Sequence, residues 1–124
     1  MKLEVKNLVK NFKGFTAVKN INFNINDGQT LGVLGPNGCG KTTTIGMLLG
    51  LIKPSNGQIL IDDENFENLN REKILSQFNF ASPYVELPKK LTVKENLEIY
   101  GRLYGVKDLD RRIQEISDDL NLSI

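Results

Sequence analysis

In Gly35-Pro36-Asn37-Gly38-Cys39-Gly40-Lys41-Thr42 the residue types stand at the spacing GxxxxGK[ST], and each fixed position has a task in holding an anion. Successive backbone N–H groups curl round a phosphate only where the chain passes close to it with positive φ angles, which Gly35, Gly38 and Gly40 permit. A helix expected over Lys41 to Leu51 would aim its unpaired first-turn amides, and the positive end of its dipole, at the same anion. The Lys41 ammonium adds a point charge for the outer phosphates. At about 4 Å and an effective dielectric of about 20 one such charge contributes roughly 4 kcal/mol before desolvation. The Thr42 hydroxyl is an oxygen ligand of the kind a hard cation such as Mg²⁺ takes. The pattern should arise by chance in on the order of one per cent of chains this long, or fewer.

A phosphate loop works only if a strand leads into it and a helix leads out. Gln29 to Leu34 is a short apolar run with strand character, and Ile45, Met47, Leu48, Leu49, Leu51 and Ile52 follow as the buried part of the helix. Ahead of it, Leu3 and Val5, with Leu8, alternate with Lys2, Glu4 and Lys6 as a half-buried strand. After a turn at Asn11 to Gly14, Ile21, Phe23 and Ile25 alternate with asparagines in a second strand. Asp27-Gly28 reads as a hairpin turn into the strand before the loop. Kinases and small GTPases begin at or near their loop strand, and no guanine-reading Asn-Lys-x-Asp follows here, so both are disfavoured.

Composition is that of an ordinary globular domain: 124 residues, 40% hydrophobic, 25% charged, net charge +1. Near-neutral charge leaves no electrostatic footprint for nucleic acid, and no 18-residue apolar run predicts membrane insertion. Cys39, the single cysteine, excludes an internal disulfide and fits a reducing compartment; it reads as a small residue that the loop tolerates, with oxidation or alkylation at a helix N-terminus as the alternative.

The loop with Thr43 and Thr44, the strands before it, and Leu91-Thr92-Val93-Lys94-Glu95-Asn96-Leu97 resemble the N-terminal half of an ATP-binding cassette ATPase over essentially the whole chain. The resemblance implies an α/β fold, a P-loop core carrying an N-terminal antiparallel β portion, and one partial nucleotide-binding domain over 1–124. It implies ATP with Mg²⁺, a nucleotide set of Phe12, Gly35, Pro36, Asn37, Gly38, Cys39, Gly40, Lys41, Thr42 and Thr43, and Thr42 as metal ligand. Phe12 stands where the family stacks an aromatic ring on adenine, with Phe15 as near competitor; a core aromatic is the alternative. Where the family places a glutamine that reaches Mg²⁺, alignment from Leu91-Thr92-Val93 puts Ser82, a weaker ligand acting through water, with Gln77 five residues early.

Further along, Lys53 to Gly57 turns the chain, Gln58 to Ile61 forms a strand, and Asp62-Asp63 reads as a solvated turn in preference to a metal site. Asn68 to Leu75 reads as a short helix and Gln77 to Ser82 as a strand stopped by Pro83. Thr92 opens a helix with a capping box to Glu95; Leu97, Tyr100 and Leu103 form its apolar stripe, and Gly105 closes it. A last helix, about Asp108 to Leu120, takes Asp108 or Asp110 as N-cap and sets Leu109, Ile113, Ile116 and Leu120 on one face.

The stretch Ser82-Pro83-Tyr84 with Leu87 to Lys90, and Tyr100 to Gly105, is similar to the cassette ATPases of two-component exporters. That implies transmembrane permease subunits and a second nucleotide-binding subunit as partners, with Tyr84, Val85 and Leu87 as candidate docking residues on the cytoplasmic face of a membrane; cover of the local core is the alternative for these three. No signature sequence, acidic strand end or histidine occurs, so the reading is an N-terminal ATPase fragment, marginally folded alone and hydrolysing ATP poorly. A non-hydrolysing docking module and a soluble cassette ATPase of translation or DNA repair are the alternatives.

Overall fold

A computed structural model describes residues 1–82 and 86–123. The chain divides into two units, Met1–Phe78 and Asn79–Ile124. In the first, β1 (Leu3–Phe12), β2 (Phe15–Ile25), β3 (Asn56–Ile61) and β4 (Glu64–Asn65) form an antiparallel sheet in the order β2-β1-β3-β4. The helix α1 (Lys41–Leu48) packs Met47 onto Val5, Leu8, Val18 and Ile59, and Leu3, Ile21, Phe23, Ile52 and Phe66 close the rim of that core.

The register explains why Val5 and Leu8, an odd number of residues apart, are both buried, at 1% and 0% exposure. Strict alternation would send them to opposite faces. Val5 pairs with Phe23 and Leu8 with Ile21, so β1 carries one extra residue there, and β3 sees the same shift between Lys6 and Val9. The extra residue is Asn7, at φ 49°, a left-handed conformation that asparagine tolerates. Its N–H is satisfied by the Asn22 side-chain oxygen at 2.7 Å. A second irregularity lies in β2: Lys10 pairs with Val18 and Asn11 with Thr16, leaving Ala17 over.

Helix ends follow from their glycines and asparagine. Gly50 at φ 66° donates to Met47 O and Leu51 donates to Gly46 O, so α1 stops at Leu48, short of the Leu51 expected. This paired closure, the Schellman motif, recurs in the second unit at Gly105 after α3 and at Asn121 after α4.

Two expected strands do not form among the described residues. Gln29 to Leu34 is irregular, with Leu34 94% exposed, because no described strand lies beside it to complete a ladder; Asp27-Gly28 is a turn, yet opens no hairpin. Gln77 to Ser82 is irregular too. The N–H groups of Gln77 and Phe78 are spent on Ile74 O and Leu75 O at the end of the short helix α2 (Arg71–Leu75). The helix expected over Asn68 to Leu75 is split into a 3-10 turn, Phe66–Asn68, capped by Asn65, and α2, capped by Asn70. Asp62 and Asp63 form the exposed β3-β4 turn; Lys2 donates to Asp62 through its N–H at 2.6 Å and to Asp63 through its ammonium at 3.0 Å. No group of three acidic, His or Cys side chains among the described residues could hold a metal ion there.

In the second unit α3 (Val93–Leu103) starts at Thr92 with both arms of the capping box: Glu95 N–H donates to Thr92 Oγ1 at 3.2 Å and Thr92 N–H to Glu95 Oε2 at 2.7 Å. That carboxylate is held below its usual pKa by the Thr92 backbone bond first and the hydroxyl bond second. The helix α4 (Leu109–Asp119) buries Ile113 and Ser117 and half-buries Leu109 and Ile116, while Leu120 at its end is 63% exposed. Asp108 sits at its N-cap but makes no cap bond, because φ 49° turns its carboxylate away from the first-turn amides.

Candidate functional site: the glycine loop and its aromatic flank

The loop from Gly35 to Gly40 is fully exposed up to Cys39 and becomes half-buried where it enters α1. Gly40 is the helix N-cap at φ 95°, and it brings no side chain to the first-turn amides. Those donors stay open toward an anion, which a Ser or Asp cap would have blocked. Gly38, at φ 82°, has nothing within 4 Å of where a Cβ would project, so the loop crest is open. At Gly35 a Cβ would stand 2.6 Å from Cys39 Sγ, so the loop closes on itself there and a side chain would have to displace the thiol.

Lys41 folds back over the loop, donating to Gly35 O at 2.6 Å and Pro36 O at 2.8 Å, with the Cys39 sulfur 3.8 Å away. The ammonium is therefore held at the rim of the cradle by two neutral carbonyls. An anionic phosphate is the stronger partner for it. Thr42 is exposed at the first turn and Thr43 is half-buried beside it. The donor set, open amides, one ammonium and a hydroxyl, matches a polyphosphate with its cation.

Two residues that the motif does not single out build this site. Thr44 is buried and donates through Oγ1 to Gly40 O at 2.9 Å, doubling the helical bond from its own N–H at 2.8 Å. A threonine four residues after the cap glycine was the available signal. Ala17 is the other: its carbonyl lies against Gly40 so closely that a Cβ on Gly40 would overlap it, with Val18 Cγ2 at 3.2 Å. Nothing local in the sequence marks Ala17, since its carbonyl is freed by a bulge that depends on pairing.

Phe12 and Phe15 face each other across the tip of the β1-β2 hairpin, ring centroids 5.7 Å apart at 29°. Phe12 is 42% and Phe15 60% exposed, so neither is the core aromatic that was the alternative for Phe12. Lys10 Nζ lies 5.1 Å from the Phe12 ring centre and donates to Lys53 O at 2.7 Å. Ser82 belongs to the second unit, half-buried in the lining of a mainly apolar groove of about 820 Å³ with Leu87, Leu97, Tyr100, Tyr104 and Ile113. Of the docking candidates, Leu87 is 57% exposed in that lining, whereas Tyr84 and Val85 lie outside the described residues.

An open glycine loop on a helix N-terminus, set against an antiparallel sheet with an aromatic tip, defines a P-loop nucleotide-binding protein. The family model described as ABC transporter matches residues 18–124. The chain belongs to the ABC transporter family, in its ATP-binding domain. It is similar to the bacitracin transport ATP-binding protein BcrA of Bacillus licheniformis, 42% identical over 107 residues, which cover 84% of this chain and 34% of that protein. The osmoprotectant import ATP-binding protein OsmV of Salmonella typhimurium is 36% identical over 108 residues, covering 83% of this chain and 28% of that one. A solved ATP-binding subunit of an ABC transporter superposes with a TM-score of 0.81 at 27% identity, over 98% of this chain and 51% of that one. The chain thus spans about a third of these curated relatives and about half of the solved one. Importers stand among the relatives, so family membership alone sets no direction of transport.

Proposed function

We propose that the chain is the nucleotide-binding part of an ABC transporter ATPase subunit, taking MgATP and coupling its binding and hydrolysis to export. The observation that carries this reading is the left-handed Gly40 cap, which leaves the first-turn amides of α1 unblocked beside the Lys41 ammonium. In it the amides from Gly38 to Thr42 hold the β-phosphate, Lys41 exchanges Gly35 O and Pro36 O for phosphate oxygens, and Phe12 stacks on the base. Asn37, Cys39 and Thr43 complete the cradle. The Thr42 hydroxyl is the magnesium ligand in this reading, and the bound Mg²⁺ would neutralise charge on the outer phosphates.

Export is supported by the Tyr100 to Gly105 stretch, which resembles exporter ATPases, and by the likeness to a bacitracin transport protein. The partners in this reading are transmembrane permease subunits and a second nucleotide-binding subunit, with the protein peripheral on the cytoplasmic face. No helix among the described residues is long and apolar enough to cross a membrane. Titration calorimetry of MgATP against the chain and Lys41→Ala tests the reading. A charge-assisted bond is worth about 1.5–3 kcal/mol, so Lys41→Ala should bind roughly 10- to 100-fold more weakly. Equal affinities would remove Lys41, and the phosphate loop with it, from the function.

A further inference from the structure

The Phe12 ring has two close neighbours. Lys10, two residues back on the same strand, places its ammonium 5.1 Å from the ring centre and is itself fastened to Lys53 O at 2.7 Å. Phe15, its register partner across the hairpin, stacks on it at 5.7 Å. An aromatic ring on an exposed hairpin tip would otherwise sample several rotamers, and a base that stacks on it would have to immobilise it. We propose that Phe15 is a positioning residue for nucleotide binding: it orders Phe12 in the base-stacking orientation and acts on the base through that ring. The inference rests on the MgATP reading of the glycine loop.

Phe15 is 60% exposed and outside the buried core, so its structural contribution is small and its spare ring surface needs an account. Its strand also reaches the phosphate end of the site. Ala17, two residues on, meets Gly40, so the same strand sets the distance from the ring pair to the loop. Ordering Phe12 from β2 therefore fixes the base platform against the very strand that abuts the cradle.

The test compares MgATP with magnesium tripolyphosphate, which fills the loop and lacks a base, by calorimetry on the wild-type chain, Phe12→Ala, Phe15→Ala, Phe15→Leu and the Phe12→Ala/Phe15→Ala double variant. Phe12→Ala should weaken MgATP about tenfold and Phe15→Ala about threefold, with tripolyphosphate unchanged in both. Phe15→Leu, which keeps an apolar flank for the ring, should recover part of the loss. The double variant should bind as Phe12→Ala does, because Phe15 has nothing to act through once Phe12 is gone.

Three results overturn the proposal: unchanged MgATP affinity in Phe15→Ala; equal losses for both ligands, which would mean general damage; or additive losses in the double variant, which would mean that Phe15 touches the base itself. If tripolyphosphate fails to bind the wild-type chain, the phosphate-loop reading falls and this proposal with it. Binding of tripolyphosphate with any of the three results overturns the proposal alone.

Discussion

Replacing Gly40 with alanine adds one methyl group where the loop meets β2, and the surroundings allow its cost to be worked out. At φ 95° any residue with a Cβ pays the left-handed penalty, about 1–2 kcal/mol. The new carbon would also overlap the Ala17 carbonyl and stand 3.2 Å from Val18 Cγ2. Both neighbours belong to a paired strand and Val18 is buried, so they cannot swing aside; overpacking of this kind costs about 1–3 kcal/mol. Gly40→Ala should therefore lose about 2–5 kcal/mol of stability. Gly38→Ala is the internal control: its φ of 82° carries the same backbone penalty, but nothing lies within 4 Å of the added methyl. It should lose only about 1–2 kcal/mol. Urea unfolding of the three proteins, read at equal slopes, gives the difference directly. A domain with about 5–15 kcal/mol in total would show the larger loss plainly. Equal losses in the two variants would mean that the cap glycine is required for its dihedral alone, and the argument that β2 buttresses the loop would be refuted.

Thr92→Ala removes the hydroxyl that accepts from Glu95 N–H and should destabilise the start of α3 by about 1 kcal/mol, read by hydrogen exchange of the α3 amides. The same box makes α3 sensitive to acid. The Glu95 pKa is lowered in the folded chain, so its contribution is present above the unfolded value of about 4.3 and is lost as pH falls through the folded value. Helix signal from the second unit should therefore fall with acidification below about pH 4, and Glu95→Gln should be flatter over that window.

What the sequence made legible was whatever depends on a few neighbouring residues. The capping box at Thr92 and Glu95, the glycine stop at Gly105 and the solvated Asp62-Asp63 turn are decided within six residues or fewer, and the structure has all three. Glycine spacing likewise anticipated the positive φ angles at Gly35, Gly38 and Gly40, because glycine takes them without strain. The misses are non-local. Whether Gln29 to Leu34 forms a strand depends on a neighbour to pair with, and apolar character says nothing about whether one is present. Gln77 and Phe78 read as strand residues, yet the tight turns at the end of α2 claim their amides first. Leu8, expected with Leu3 and Val5 on the apolar side of β1, is in the core, but for a reason no periodicity supplies, since Asn7 adds a residue to the strand and resets its phase.

The same kind of irregularity accounts for how the proposed phosphate loop and the Phe12–Phe15 ring pair come to be linked through β2. In a regular hairpin alternate residues of β2 would direct their main-chain groups to β1, in an unbroken register. The shift between Lys10↔Val18 and Asn11↔Thr16 leaves Ala17 without a partner, and its carbonyl turns to the one neighbour that has no side chain, Gly40. Beyond the bulge the register closes again at Phe12↔Phe15, which brings the rings together. A slip of one residue would send one phenyl ring to the opposite face and move the carbonyl off the loop in the same step. In the proposed reading the bulge at Ala17 thus couples base platform to phosphate cradle: β2 cannot be shifted to suit one without spoiling the other.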